Sequence, residues 1–483
     1  MSVPLRTRRG VAIAAVLCTV QFLDILDMSI MNVALPSIQR DLRFSQQSLQ
    51  WVISGYMLSY GGCLLLGGRL ADVLGRRRIL ISGLSVFPAA SLAGALAPGA
   101  SFLVAARLVQ GAGAALMAPA ALSILTTTFD EANGRNTVLA IWGAVTGVAG
   151  AAGVLFGGVL TRGLGWRSVL LVNVPICLVA LVATFMVIPD GRRRRGFGKA
   201  DAASAALLTG GMLILVHALV GVPRAGWGSP RTIGELLAAA ALLTAFTLME
   251  RCRAAPLVPL SILRISGLAA ADATMLIAFA GFYAMFFFLT LYMQEILRYS
   301  PIQAGSAYLP VTAGIVISAG TVPLAFPYIG TRPFIAGGPL LSAVGVFCLS
   351  RIPVHGSYLV NVLPGLLIMS IGLGAVFVAV TTAANGGVSP DQAGLAAGLL
   401  NTSQQLGAAL GLAALSVAAA ARTAQLLAAG AAQPVAATAG YQRAFQYSAI
   451  LLVAAGLTGT RGRDCRPPVS PLPAGRRIPP PSA

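Results

Sequence analysis

The chain has 483 residues, of which 57% are hydrophobic and only 10% are charged, and it carries a formal net charge of +19. Because a soluble domain carries about 25% charged residues, this composition excludes a soluble globular protein and predicts that most of the surface faces lipid. Helices are expected, since hydrocarbon offers no partner for an unpaired backbone group. The short alternating segments of a membrane barrel are not visible in the sequence.

Fourteen apolar windows follow one another along the chain, each close to the roughly 20 residues that a helix needs to cross a bilayer. They fall near 11–34, 49–68, 79–97, 102–126, 137–160, 168–188, 202–222, 233–249, 267–293, 303–325, 333–350, 358–384, 394–421 and 443–460. The basic residues, nearly all arginine, concentrate in alternate loops, as the positive-inside rule describes. We therefore predict a multi-pass protein of the bacterial plasma membrane, with both termini cytoplasmic and no nucleic-acid partner.

The first window contains two acids, Asp24 and Asp27. Their spacing of three residues places both carboxyl groups on one face of a helix. An ionised acid at membrane depth costs about 2.5–3.5 kcal/mol on insertion scales, so it needs a wet cavity, a cationic partner or a bound proton. We interpret both as proton-coupling residues. A structural hydrogen bond from Asp27 to a nearby helix is the alternative.

The turn between the second and third windows carries a glycine, an acid and a run of arginines within segment 68–78. The glycine permits a tight turn, the acid can cap the next helix, and the arginines hold one membrane face. An acid that pairs with an arginine in one state and parts from it in another would act as a conformational latch. The latch candidates are Gly68, Asp72, Gly75, Arg76 and Arg77.

The fourth window contains Arg107, which stays charged inside the membrane and needs an acid or carbonyl partner. Asp27 and Asp24 are the candidates by residue type. Gln110, one turn further on, extends this network or contacts a substrate in the cavity. Plain bracing of the helix is the competing role for Arg107.

The fifth window has glycines at steps of three and four residues, including Gly153, Gly157 and Gly158. Small residues along one stripe allow another helix to approach closely. We predict that the main role of these glycines is to form a packing surface, and that any role in sealing a pathway is secondary.

A basic run at 191–199 divides the chain into six helices, a pair and six more. The predicted units are a bundle at 1–190, a basic linker with an inserted helix pair at 191–265, a second bundle at 266–460 and a disordered Pro/Arg-rich tail at 461–483. Segment 110–115 is echoed by segment 371–376, and two related halves imply a central site between them. Since the charges of the first copy are missing from the second, the working charges are expected in the first half.

The ninth and thirteenth windows supply candidates for a substrate cavity. Aromatic side chains suit bulky apolar or cationic ligands through stacking and cation–π attraction. Aromatic residues that only face lipid would explain the pattern equally well. Neutral polar side chains face either a cavity or a neighbouring helix. The candidates are Phe279, Phe282, Tyr283, Phe286, Asn401, Gln404 and Gln405.

Taken together, these segments resemble the 14-helix drug:proton antiporters of the major facilitator superfamily. Segment 26–36 resembles the first-helix signature, 68–78 the loop motif between helices two and three, 107–113 the fourth-helix motif and 153–158 the fifth-helix antiporter motif. The likeness runs from about residue 11 to 455. It implies an all-α integral membrane protein with two six-helix bundles and two inserted helices.

The resemblance also implies alternating access around a central cavity, in which proton entry is exchanged for export of a hydrophobic or cationic small molecule. The implied protein is a monomer that uses the proton gradient and no cofactor. By the family pattern, Asp27 takes part in coupling, Asp72 and Arg76 in the latch, and Arg107 in proton relay.

Three positions depart from the family pattern. Val154 replaces the proline of the fifth-helix motif, Val73 stands where a basic residue usually follows the acid, and Asp24 is extra. A solute importer of the same fold and an inactive or partner-dependent membrane protein therefore stay open as alternatives. A metal-dependent membrane enzyme is not expected, because His217 and His355 stand alone and the six cysteines have no close spacing.

Overall fold

The computed structural model describes residues 4–129, 134–189, 199–253, 267–385 and 393–460, and within these ranges the chain is helical with no strand. Eleven helices in the described part are long and apolar enough to cross a membrane. The predicted all-α membrane fold is confirmed. Three further described helices coincide with predicted windows but are not among these eleven. The count of fourteen spans therefore stays a prediction.

The first half comprises eight helices: α1 (Arg8–Leu42), α2 (Gln46–Leu49), α3 (Trp51–Leu74), α4 (Arg76–Ala95), α5 (Ala100–Thr128), α6 (Arg135–Gly163), α7 (Arg167–Leu171) and α8 (Asn173–Val187). The Thr7 side chain caps the start of α1 by accepting from the backbone N–H of Gly10. Helices α3 and α4 pack on α5, α1 packs on α6, and α8 packs on α4 and α1. Helix α5 therefore lies at the centre of this bundle.

The inserted pair consists of α9 (Lys199–Ala225) and α10 (Pro230–Cys252). Near one end of the pair, the buried Ser204 hydroxyl donates to Glu250 Oε1 at 2.5 Å, and Arg253 approaches the same carboxylate at 3.5 Å. Helix α9 also packs against α3 and against a helix of the second half, α16. The predicted boundaries at 190/191 and 265/266 and the predicted tail fall outside the described residues.

The second half comprises α11 (Leu268–Leu291), α12 (Pro301–Ser306), α13 (Leu309–Ile329), α14 (Arg332–Leu349), α15 (Leu363–Asn385), α16 (Ala393–Ala428) and α17 (Gln433–Gly459). Widened π turns at Tyr292–Ile296 and Tyr358–Val362 follow α11 and precede α15. Helices α16 and α17 pack on α11, while α14 packs on α15 and α17. Ser300 and Gln303 form a reciprocal capping box at the start of α12.

The two halves meet along α3 and α16 and at one end of the molecule, where α12 packs against α6 and α1. There the Gln294 side-chain amide donates to the backbone carbonyl of Val33 at 2.9 Å. We call this the closed end. Among the described residues, α4 and α5 make no extensive contact with helices of the second half. We call the opposite end, at which α1, α6 and α11 begin, the open end.

Candidate functional site

A buried ion pair joins α1 to α5 in the first half. Arg107 Nη1 lies 2.6 Å from Asp27 Oδ2, and the two residues are 1% and 0% exposed. Removing one partner of a buried pair leaves an uncompensated charge and costs about 3–5 kcal/mol. The partner expected for Arg107 from residue type is therefore present in the fold.

Two further helices, α4 and α8, and α5 itself supply polar groups to this pair. The Gln110 amide donates to Asp27 Oδ1 at 2.8 Å and accepts from Arg107 at 2.7 Å, while the Asn173 amide donates to Asp27 Oδ1 at 2.7 Å. The hydroxyl of Ser91 accepts from both amides at 3.2 Å. Asp27, Arg107, Gln110, Asn173 and Ser91 are here called the Asp27 network. It ties together α1, α4, α5 and α8.

Asp24 lies beside this network but has different partners. The phenol of Tyr60 donates to Asp24 Oδ2 at 2.7 Å, and that of Tyr56 donates to Oδ1 at 3.1 Å. The guanidinium carbon of Arg107 stacks 4.3 Å from the centre of the Tyr56 ring, a favourable cation–π position. Arg107 thus contacts one acid directly and reaches the neighbourhood of the other through an aromatic ring.

The sulfur of Met28 connects the site to the second half. It accepts weakly from the Tyr283 hydroxyl at 3.8 Å and from the Gln405 amide at 3.9 Å. Because Met28 directly follows Asp27 in the chain, the Asp27 network lies next to the interface between the two halves.

The aromatic candidates of α11 divide between the interface and the core. Phe279, Tyr283 and Phe286 are half-buried, whereas Phe282 is 1% exposed and packs edge-on against Phe279 at 6.1 Å. Phe282 is thus enclosed more fully than the other three, and the predicted cavity role of all four stays a prediction. Among the thirteenth-window candidates, Asn401 and Gln404 are half-buried and Gln405 is buried.

The turn motif is anchored inside the first half. Gly75 has a φ of 103° between α3 and α4, a conformation that favours glycine. Arg76 donates to the Thr127 hydroxyl at 2.6 Å, and Arg77 donates to the Phe185 carbonyl at 2.9 Å. The Asp72 side chain lies outside the described residues, so the predicted latch pair stays a prediction. The remaining member, Gly68, lies in ordinary contact with α5.

The glycines of α6 allow close approach at the closed end. A Cβ on Gly153 would lie 2.6 Å from Ser29 Cβ of α1, and one on Gly157 would lie 2.9 Å from the Ile30 carbonyl oxygen. A Cβ on Gly158 would lie 2.5 Å from Ile302 Cα of α12, in the second half. Helix α6 runs unbroken through Val154, the position that departs from the family pattern.

Four members of the site had not been identified as site residues from the sequence. They are uncharged polar or aromatic side chains that hold the two acids: Tyr56, Tyr60, Ser91 and Asn173. Sequence analysis also missed Asp272, a buried acid in the second half, where no working charge was expected. Among the described residues, no group of three or more His, Cys, Asp or Glu side chains could hold a metal ion.

The fold and this buried charge network are those of a membrane transporter, and comparison with known proteins gives the family. The family model described as Major Facilitator Superfamily matches residues 17–412. The chain belongs to this family, as the resemblance implied.

Curated relatives include export and resistance proteins of actinomycetes. The cephamycin export protein CmcT of Amycolatopsis lactamdurans is 41% identical over 402 residues, which is 82% of each chain. The puromycin resistance protein pur8 of Streptomyces alboniger is 38% identical over 416 residues, covering 86% of this chain and 82% of the relative.

Solved structures with the same fold are more distant in sequence. A bacterial homologue of the human lysosomal transporter Spinster, in an inward-facing and occupied conformation, has a TM-score of 0.67 at 16% identity and covers 94% of this chain and 96% of its own. The POT family transporter PepTSo has a TM-score of 0.67 at 13% identity, with coverage of 93% of this chain and 98% of its own. At these identities the likeness concerns the fold alone.

Proposed function

We propose that this protein is a proton-coupled antiporter that exports hydrophobic or cationic small molecules across the bacterial plasma membrane. Both termini lie in the cytoplasm, the protein works as a monomer, and the proton gradient is its energy source. The relatives named for antibiotic export and resistance support the direction and the substrate class. The observation that carries the proton coupling is the Asp27 network, with Asp24 beside it.

The charges of the site suggest how exchange works. Two carboxyl groups lie one helical turn apart on α1 and share a single arginine, Arg107. When both acids are ionised, the site has one negative charge in excess, and that charge attracts a proton or a cationic substrate. Because either one satisfies the site, binding of the first favours release of the second, which is the requirement for antiport.

Protonation of Asp27 also changes what Arg107 can contact. A neutral carboxyl no longer balances the buried guanidinium, whose charge must stay paired. Asp24, on the same helix face and already next to Tyr56, is the available replacement. A shift of Arg107 between the two acids would loosen its hydrogen bond to Gln110 and so transmit the proton's arrival to the helices of the first bundle.

The proposal is tested with purified protein in liposomes that carry an imposed pH gradient and an internal pH-sensitive dye. Addition of tetraphenylphosphonium should dissipate the gradient at a rate set by the protein. Asp27→Asn should abolish this response, because the amide cannot carry the proton. Glu235→Gln, which removes an acid from the inserted pair on α10, should leave the response within about twofold, since surface ion pairs contribute little.

The alternatives predict different outcomes. Full proton exchange by Asp27→Asn protein with native-like thermal stability would overturn the coupling assignment. Proton-driven accumulation of compounds in the direction of proton entry would instead identify an importer. Silence of the wild-type protein against a broad compound panel would favour the inactive or partner-dependent alternative.

A further inference from the structure

A second buried acid lies far along the chain from the Asp27 network, in α11. Asp272 is 7% exposed, and its single hydrogen bond comes from the Ser403 hydroxyl of α16, at 3.5 Å to Oδ1. The other carboxylate oxygen, Oδ2, has no hydrogen-bond partner among the described residues. No described cationic side chain forms an ion pair with it.

Asp272 owes its position to the packing of α11 against α16. Ser403 meets Asp272, Gly407 meets the backbone of Leu276, and Gly411 meets the backbone of Ala280. The partners advance by four residues on both helices, so the two helices run parallel and stay in close contact over two turns. Asp272 is the first member of this series, at the open end.

The face of α11 that carries Asp272 packs against α16 at this end and reaches the first half further along the helix. Positions 272, 276, 279, 283 and 286 share one helix face, because they advance in steps of three and four. All of them except Asp272 are half-buried within a helix that is otherwise largely buried. Tyr283 on this face reaches Met28 of the first half. The carboxyl group therefore lies at the open end of an aromatic strip.

A carboxylate with an empty acceptor position is costly to bury. The other buried acids of the helical core described above have two or more strong donors or a cation, whereas Asp272 has one long hydrogen bond. A positive charge that comes from outside the protein would complete its environment. Asp272 and Phe279 are separated by two helical turns, about 10 Å, which matches a small organic cation with an aromatic body.

We propose that Asp272 binds the cationic group of a lipophilic cation whose aryl groups lie on Phe279 and Tyr283. This inference rests on the proposed function and adds a recognition site in the second half, separate from the Asp27 network. The carboxylate supplies charge complementarity, and the aromatic rings supply dispersion and cation–π attraction. A neutral compound of the same shape uses the rings alone.

The test is equilibrium binding to detergent-purified protein, which needs neither transport nor a proton gradient. The probes are tetraphenylphosphonium and the neutral triphenylphosphine oxide, which both carry phenyl groups on phosphorus. Asp272→Asn should weaken tetraphenylphosphonium binding by at least about tenfold, since a close charge pair is lost, and should leave binding of the neutral probe unchanged. Asparagine keeps the shape of the side chain and can still accept from Ser403.

Two control variants separate the site from global effects. Glu235→Gln removes the same amount of charge from α10 and should bind both probes as the wild type does. Ser403→Ala keeps the carboxylate and should retain most of the cation affinity.

Three outcomes would overturn the assignment. They are unchanged cation affinity in Asp272→Asn protein, an equal loss of affinity for both probes in that variant, and no cation binding by the wild type. None of these outcomes depends on proton exchange. Proton exchange in liposomes, measured against the broad compound panel, can therefore fail or hold independently of this binding test.

Discussion

Among single residues, Arg107 has the most demanding environment in the first bundle. Its guanidinium is enclosed by an acid, an amide, a backbone carbonyl at 3.0 Å and a tyrosine ring. Each of these groups satisfies a different edge or face of the planar cation, which a lysine cannot reproduce. The residue therefore contributes to folding and to the proposed relay at the same time.

Arg107→Ala should lower the stability of the purified protein by on the order of 3–5 kcal/mol, because Asp27 is left buried without its cation. Thermal unfolding in detergent, followed by tryptophan fluorescence, measures the change. Arg231→Ala, which removes a solvent-exposed arginine paired with Glu235, is the matched control and should shift stability by about 0–1 kcal/mol. An equally small effect of Arg107→Ala would mean that the ion pair between Arg107 and Asp27 is not formed in the folded protein.

The charged part of this site was predictable because a buried charge in lipid must find a partner, and few charges were available. Asp24, Asp27 and Arg107 could be selected on that ground alone. Tyr56, Ser91 and Asn173 could not, since neutral polar residues occur widely in membrane helices and only helix packing determines which ones face an acid. Asp272 was not selected as a candidate because it lies near one end of its window, where placing an acid in the membrane costs less free energy.

Among the helices, α6 has a special position, because it contacts α1 of its own bundle and α12 of the other. The stripe of glycines predicted a close packing surface, but periodicity alone could not identify the partners. Gly153 and Gly157 face the helix that carries Asp27, while Gly158 faces the opposite bundle. Helix α6 is therefore placed to transmit movement of α1 to the closed end.

Gly158→Ala should prevent close approach of α6 to α12 and reduce transport severalfold, because the new methyl group would overlap the backbone of Ile302. Gly150→Ala, on the same helix but with open space around it, should retain transport and gain slightly in helix stability. Substrate efflux from liposomes measures both variants. Wild-type efflux by Gly158→Ala would show that the closed end does not need this contact.

At the level of the whole molecule, the two bundles touch at the closed end and along α3 and α16, while α4 and α5 make no extensive contact with the described helices of the second half. The sequence predicted two related bundles and an inserted pair, because apolar windows and the basic run mark them directly. It could not predict the conformation, since opening depends on contacts between distant segments that many sequences would satisfy in either state.

A cysteine at Asn401 should react with a membrane-impermeant maleimide from the open end and not from the closed end. The background lacks the six native cysteines, and inside-out and right-side-out vesicles expose the two ends separately. Asn401 is half-buried on α16, while Ala444→Cys, fully buried in α17, is the unreactive control. Faster labelling from the closed end would contradict the arrangement of the bundles.

The sulfur of Met28 forms only weak hydrogen bonds with the second half of the molecule. A thioether is a weak acceptor, so the Tyr283 and Gln405 side chains can leave it for water at little cost when the bundles part. A carboxylate at this position would hold the same two donors far more firmly. Beside the buried Arg107–Asp27 pair, the contacts of Met28 with the second half are weak. Strong interactions therefore stabilise the first bundle internally, while weak ones let the two bundles move relative to each other.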